Sequence, residues 1–190
     1  MTLMAPRDEA QLVHMLHTAL AYDGPIGLRY PPGAGEGVAL PDAPEVLPIG
    51  RGEVLREGDR VAFFGYGYGV PLAVGAADLL ASEHGVEPTV ADARFAKPLD
   101  AELIASLVAE HEVLVTVEEN VLAGGFGSGV LEHISDHDLA GECRVLRLGL
   151  PDRYVTHGKP ALLREEVGLT PEAVAERVAE AVLSPRGALV

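Results

Sequence analysis

Apolar positions recur with a regular beat along most of this chain. Between Ala10 and Leu20, the residues Leu12, Met15, Leu16, Ala19 and Leu20 fall on one helical face, which predicts an amphipathic helix. Pro6, Asp8 and Glu9 suit its start, because proline has no N–H to lose there and acids complement the helix dipole. Asp23-Gly24-Pro25 ends it, and Ile26 to Tyr30 reads as a short strand. Met1 to Met4 is an apolar stub, too brief to begin a domain.

The beat stops between residues 31 and 50, where Pro and Gly dominate and no period survives; this reads as a linker. It then resumes as alternating elements. Strands are expected at Gly52–Arg56, Val61–Phe64, Thr89–Asp92, Val113–Val117 and Arg144–Leu148. Helices are expected at Val70–Ser82, Asp100–Ala109 with Asp100 as cap, Gly129–Ile134, Ala161–Glu166 and Pro171–Leu183. Short apolar strands separated by helices predict βαβ units, hence an α/β fold with a mainly parallel sheet. The tail from Pro185 reads as frayed.

Composition narrows the function classes. The chain has 190 residues, 48% of them apolar and 5% aromatic, so Val, Ala and Leu must fill the core. A formal charge of −15 argues against nucleic acid and anionic membranes as partners, since both need Lys and Arg to neutralise phosphate. The single Cys143 excludes an intrachain disulfide and a multi-thiolate metal site. The start has no basic, signal-like segment, and no apolar run nears the ~20 residues of a membrane span. A cytoplasmic location is the expectation.

Several stretches invite chemical readings. Gly65-Tyr66-Gly67-Tyr68-Gly69-Val70, with Asp92 beyond, imitates a dinucleotide fingerprint, but Val70 occupies the position of the third glycine. Ser128 among glycines imitates a nucleophile elbow, which fails because Phe126 and Val130 replace the required glycines. His133 and His137 stand four apart near Asp136, Asp138 and Cys143; with no H-E-x-x-H pattern, a solvated helix end is the reading favoured over zinc. His14 and His17 read as surface or interface histidines. Arg94 and Lys97 lie between a strand end at Asp92 and the helix at Asp100; bracing against nearby acids is favoured over a ligand or domain contact. Glu118, Glu119 and Asn120 follow a buried strand and precede Gly124 and Gly125, which predicts a polar loop and then a glycine turn. Glu118 could serve as a general base only with a partner that the sequence does not place nearby.

Taken together, these residues resemble the 1-deoxy-D-xylulose-5-phosphate synthase family. The resemblance rests on ARFAKPLD at 93–100, TVEENVLAGGFGSGV at 116–130, LGLPDRYVTHG at 148–158, and the segments 4–33 and 47–67. More distantly, the layout is similar to the C-terminal half of transketolases and of 2-oxo-acid dehydrogenase β subunits. The resemblance implies a three-layer αβα transketolase C-terminal domain at 51–184. Before it come the last αβ unit of a pyrimidine-binding domain at 1–33 and a linker at 34–50, and a tail at 185–190 follows. It implies a parent enzyme that uses thiamine diphosphate and Mg²⁺ to join pyruvate and glyceraldehyde 3-phosphate with loss of carbon dioxide. The family's G-D-G diphosphate motif and its activating glutamate do not occur here. The expectation is therefore a C-terminal portion, inactive alone, that binds no cofactor itself.

The partners implied are the upstream cofactor-binding domains and a second copy in a homodimer. Arg94, Lys97, Glu118, Glu119, Asn120, Gly124, Gly125 and His157 are then expected in loops or interfaces, and no residue here is expected to be catalytic or to ligate a metal. The family's R-Y-P-R-G stretch, whose second arginine grips the substrate phosphate, reads Arg29-Tyr30-Pro31-Pro32-Gly33 here. Pro32 offers neither charge nor N–H, so either Arg29 or an upstream group substitutes, or acceptor binding is weak or altered; Arg29 is the neighbouring substrate-binding candidate. A split transketolase-like subunit and a non-catalytic interaction module are the competing readings. An adjacent gene for the missing domains favours the first of these, and a stable fragment that binds no such partner favours the second.

Overall fold

The computed structural model describes residues 1–31, 35, 37–139, 141 and 143–183. Its elements are β1 (Thr2–Met4), α1 (Glu9–Ala21), β2 (Ile26–Leu28), β3 (Glu53–Arg56), β4 (Val61–Tyr66), α2 (Gly69–His84), β5 (Thr89–Asp92) and β6 (Phe95–Lys97). They continue with α3 (Ala101–Glu110), β7 (Val113–Val121), α4 (Phe126–Asp136), β8 (Arg144–Leu150), α5 (Pro160–Val167) and α6 (Pro171–Leu183).

The main sheet has the order β3-β5-β4-β7-β8. It is mixed: β3 runs antiparallel to β5, and every other pairing is parallel. Alternation along its strands splits the core in two. Val61, Phe63, Val113, Val115 and Val117 face α2 and α6, packing on Leu72, Ala76, Val174 and Val178. Ala62, Phe64, Tyr66 and Leu114 face α3 and α4, packing on Ile104, Leu107, Phe126, Val130 and Ile134. A sheet buried on both faces requires apolar residues at successive positions, which is why these strands read as continuous apolar runs. The result is the three-layer αβα arrangement expected from the sequence.

Capping fixes where several helices begin and end. Asp8 accepts the Gln11 N–H at 2.7 Å, and Asp100 accepts the Leu103 N–H at 3.1 Å. Gly85 and Gly168 close α2 and α5 in the left-handed region, where a Cβ is costly.

The first thirty residues differ most from expectation. The apolar stub at the start is strand β1, which joins β2 in parallel and β6 antiparallel. β6 itself lies inside the predicted 92–100 loop, so the two predicted units share a three-stranded sheet, β2-β1-β6. In α1 the buried residues are Gln11, Met15 and Thr18, whereas Leu16 and Leu20 are 49% and 88% exposed. The predicted face is therefore rotated. The apolar neighbours of α1 are the Met4, Leu47 and Phe95 cluster, on the side where Met15 points. Thr18 is anchored there by the Leu47 N–H at 2.8 Å. Leu47, in a stretch of residues 37–50 without helix or strand, folds back to complete this small core. Pro32 lies outside the described residues.

Candidate interface at the carboxyl edge of the sheet

The parallel strands β4, β7 and β8 end on one edge, and the residues expected to matter gather there. β7 extends four residues beyond its predicted end, because β8 continues to Leu150 and pairs it with Val121. Glu118, Glu119 and Asn120 are thus part of a strand, not a free loop. The helix after them starts at Phe126 rather than Gly129. Gly125 is its N-cap and has no side chain to cap with. Glu118 supplies the cap from across the turn: its carboxylate accepts the N–H of Phe126 at 2.8 Å and of Gly127 at 2.7 Å. Asn120 Nδ2 donates to the same group at 3.2 Å. A carboxylate here meets both the unpaired N–H groups and the positive end of the helix dipole.

Glu118 is fully buried, and loss of hydration raises its carboxyl above the ordinary value, against the pull of its N–H donors and of Arg147. Both oxygens are engaged by the helix start, and Glu118 itself is fully buried. Phe126, the first residue of α4, stacks on Tyr66 at 5.1 Å and tilts against Phe64 at 5.3 Å. Such pairs stabilise by about 1 kcal/mol beyond their buried area, which offsets the poor helix propensity of Gly127 and Gly129. Burial pushes the Tyr66 hydroxyl up to about 12.

The turn between β7 and α4 is held by its own chain. Ser128 Oγ donates to the Leu122 carbonyl at 2.7 Å and accepts from the Gly124 N–H at 3.1 Å. Arg147 Nη1 donates to Ser128 Oγ at 2.9 Å and to the Leu122 carbonyl at 3.1 Å. Gly124 sits at φ +71, and a Cβ on Gly125 would lie 2.6 Å from Glu118 Oε2 and against the Val121 carbonyl. The glycines thus let this chain close on itself.

Glu119 faces outward and gathers three elements. Its backbone carbonyl accepts from Arg29 Nη2 at 2.8 Å, and its carboxylate accepts from Arg164 Nε of α5 at 3.0 Å. The Arg164 guanidinium in turn stacks 3.7 Å above the Tyr68 ring, at the start of α2. Arg29 is half-exposed and uses few of its five donors.

The remaining expected residues separate. Arg94 belongs to a separate knot at the end of β5, on the same edge: its backbone N–H meets Asp92 Oδ1 at 2.8 Å and its guanidinium meets Glu53 Oε2 at 2.5 Å. Arg7, which the sequence reading passed over, joins it by binding Glu53 at 2.6 Å and Asp92 at 2.9 Å. Nothing in the local pattern marks Arg7, because its partners lie 46 and 85 residues away. Lys97 is exposed and forms no ion pair among the described residues, so the expected bracing falls to the arginines. His157 is exposed in the segment after β8, as is Tyr154 three residues before it. His14 Nδ1 accepts the Glu45 N–H at 2.9 Å, and His17 is exposed. Cys143 is a free thiol whose burial raises it above its ordinary value. Among the described residues, no three His, Cys, Asp or Glu side chains gather as a metal site.

Comparison with known proteins gives this geometry a context. The family model described as "Transketolase, C-terminal domain" matches residues 50–174. The chain is 54% identical over 178 residues to a 1-deoxy-D-xylulose-5-phosphate synthase of Thermomicrobium roseum, covering 93% of this chain and 28% of the relative. It is 52% identical over 183 residues to a synthase of the same name from Symbiobacterium thermophilum, covering 96% and 28%. The chain therefore spans less than a third of the length of these curated relatives. Among solved structures, a split-gene transketolase described as an inactive β4 tetramer superposes with a TM-score of 0.82 at 30% identity. It covers 96% of this chain and 58% of its own. A transketolase variant from Pichia stipitis superposes at 0.65 with 18% identity, covering 98% and 26%, which shows the shared fold.

Proposed function

The chain belongs to the transketolase C-terminal-domain family, and from that premise we propose that it forms the C-terminal portion of a 1-deoxy-D-xylulose-5-phosphate synthase. That enzyme condenses pyruvate with glyceraldehyde 3-phosphate, releasing carbon dioxide, in a route to isoprenoid precursors. The observation that carries the reading is identity of about half the positions across more than nine-tenths of this chain.

In this reading the 190 residues do not turn over substrate by themselves. Thiamine diphosphate and Mg²⁺ belong to the longer protein, and the residues of this chain do not fit them. Its buried carboxylates, Asp92, Asp100 and Glu118, are occupied by arginines, by backbone N–H groups and by helix starts. The contribution of the chain is architectural. It presents the β4, β7 and β8 edge, with Arg29, Glu119 and Arg164, to the cofactor-binding domains and to a second copy in a homodimer. Arg29 is the candidate for contact with the substrate, and a cytoplasmic location goes with the same reading.

A chimera provides the test. The N-terminal portion of the Thermomicrobium roseum synthase, ending where its match to this chain begins, is joined to these 190 residues and assayed with both substrates, thiamine diphosphate and Mg²⁺. Formation of 1-deoxyxylulose 5-phosphate by the chimera, with none from the chain alone, is expected. An inactive but folded chimera would sink the assignment to this synthase, and turnover by the chain alone would sink the architectural role.

A further inference from the structure

The carboxyl edge leaves one cluster of chemically capable side chains unused, at the opposite end of α4. We propose that His133 and His137 form a two-imidazole site for a late first-row divalent metal ion, of the class of Cu²⁺, Ni²⁺ or Zn²⁺.

Three observations carry this. First, the two rings already lie together, with centroids 4.2 Å apart and planes inclined by 33°. A nitrogen ligand sits about 2 Å from such an ion, so each ring centre lies roughly 3 Å from it. Two rings bound at a right angle would then be roughly 4.5 Å apart, a spacing that the pair already has to within a few tenths of an ångström. Second, His137 Nδ1 is 2.9 Å from the His133 carbonyl. A carbonyl only accepts, so Nδ1 carries the proton and Nε2 keeps its lone pair. Metal-binding histidines are oriented in this way, by donating the far N–H to a carbonyl or carboxylate. Third, the His133 ring makes no hydrogen bond among the described residues, so no protein group competes for its ring nitrogens.

The competing account is a solvated helix end with two stacked rings and no ligand. Stacking alone does not require His137 to direct its proton inward and its free lone pair away. No third protein ligand joins the pair among the described residues, so water would complete the coordination. That argues against a closed tetrahedral zinc site and for a labile chelate whose affinity peaks at Cu²⁺ in the usual divalent order. A bound ion would cross-link the last turn of α4 to its C-cap, since His137 is that cap residue.

The test uses the complete 190-residue chain, prepared without an affinity tag and titrated calorimetrically with Ni²⁺ at about pH 7.5. One ion per chain is expected. His133→Gln and His137→Gln should each weaken binding by about tenfold or more, and His17→Gln should leave it unchanged. Circular dichroism of the metal-free variants checks that they fold. Binding that survives either substitution in α4, or that disappears with His17→Gln, overturns the site.

Discussion

Arg7 Nη1 lies 2.9 Å from Asp92 Oδ2, and Asp92 has no solvent exposure at all. The contact ties the segment between β1 and α1 to the end of β5, 85 residues away. Glu53 and Arg94 complete the knot, and the Ala5 N–H donates to the Arg94 carbonyl at 3.0 Å. Removing the Arg7 cation strands a buried carboxylate. Arg7→Ala is expected to cost about 3 kcal/mol of unfolding free energy, the range for breaking a buried pair. Urea denaturation of the two proteins measures it, and a loss below about 1 kcal/mol would show that Arg94 alone satisfies Asp92.

The same knot predicts that the N-terminal segment stays attached without its covalent link. Residues 37–46 carry no helix or strand and are largely exposed, so a protease should cut there. The β1–β6 pairing, the Arg7 contacts and the Met4, Met15, Leu47 and Phe95 cluster should then hold residues 1–31 in place. Size-exclusion chromatography of the nicked chain, followed by denaturing mass spectrometry, is expected to find both pieces in one peak. Separate elution would mean that these contacts are too weak to hold the unit.

Glu118 gives the protein a pH signature. Its carboxyl is raised in the folded state, so the folded chain holds that proton more tightly than the unfolded chain does. The stability from this linkage is complete below the ordinary carboxyl value of 4.5 and is lost as pH rises through the folded value. Asp92 is raised as well, again chiefly by burial, and it adds to the slope in the same sense. Glu118→Gln removes one titration and leaves the other. The difference in stability between wild type and variant should therefore fall as pH rises above 4.5, and a flat difference would contradict the shift.

Gly125 and Gly127 are predicted to be intolerant of even a methyl group. On Gly125 it would meet Glu118 Oε2 at 2.6 Å and the Val121 carbonyl; on Gly127 it would meet Thr116 Oγ1 at 2.5 Å. Each alanine variant should cost about 1–3 kcal/mol in thermal unfolding, the usual penalty of overpacking. Gly124 has open space around its Cβ position but a φ of +71, so its alanine variant should lose only about 1 kcal/mol from backbone strain. Equal losses at all three positions would show that space does not set the cost.

Periodicity and caps are enough to read the layered body of this protein from its sequence. A strand buried on both faces must be mostly apolar, as Val113 to Val117 is with Thr116 its one polar member, and a helix capped by Asp100 announces its own start. These signals are local, and so is their physics. The matching motifs also carry the family, because each spans a few neighbouring residues. What tertiary structure alone decides is where polar groups find partners far away in sequence. Glu118 looks like a loop acid until α4 docks its first N–H groups onto it. Arg7 looks like an ordinary residue before a helix until β5 brings Asp92 beneath it. The inward face of α1 is chosen by Leu47 and the small sheet, not by the count of leucines on the helix, so Leu16 and Leu20 remain outside. Burial makes each of these pairings consequential, since a polar group removed from water must be satisfied wherever the fold supplies a partner.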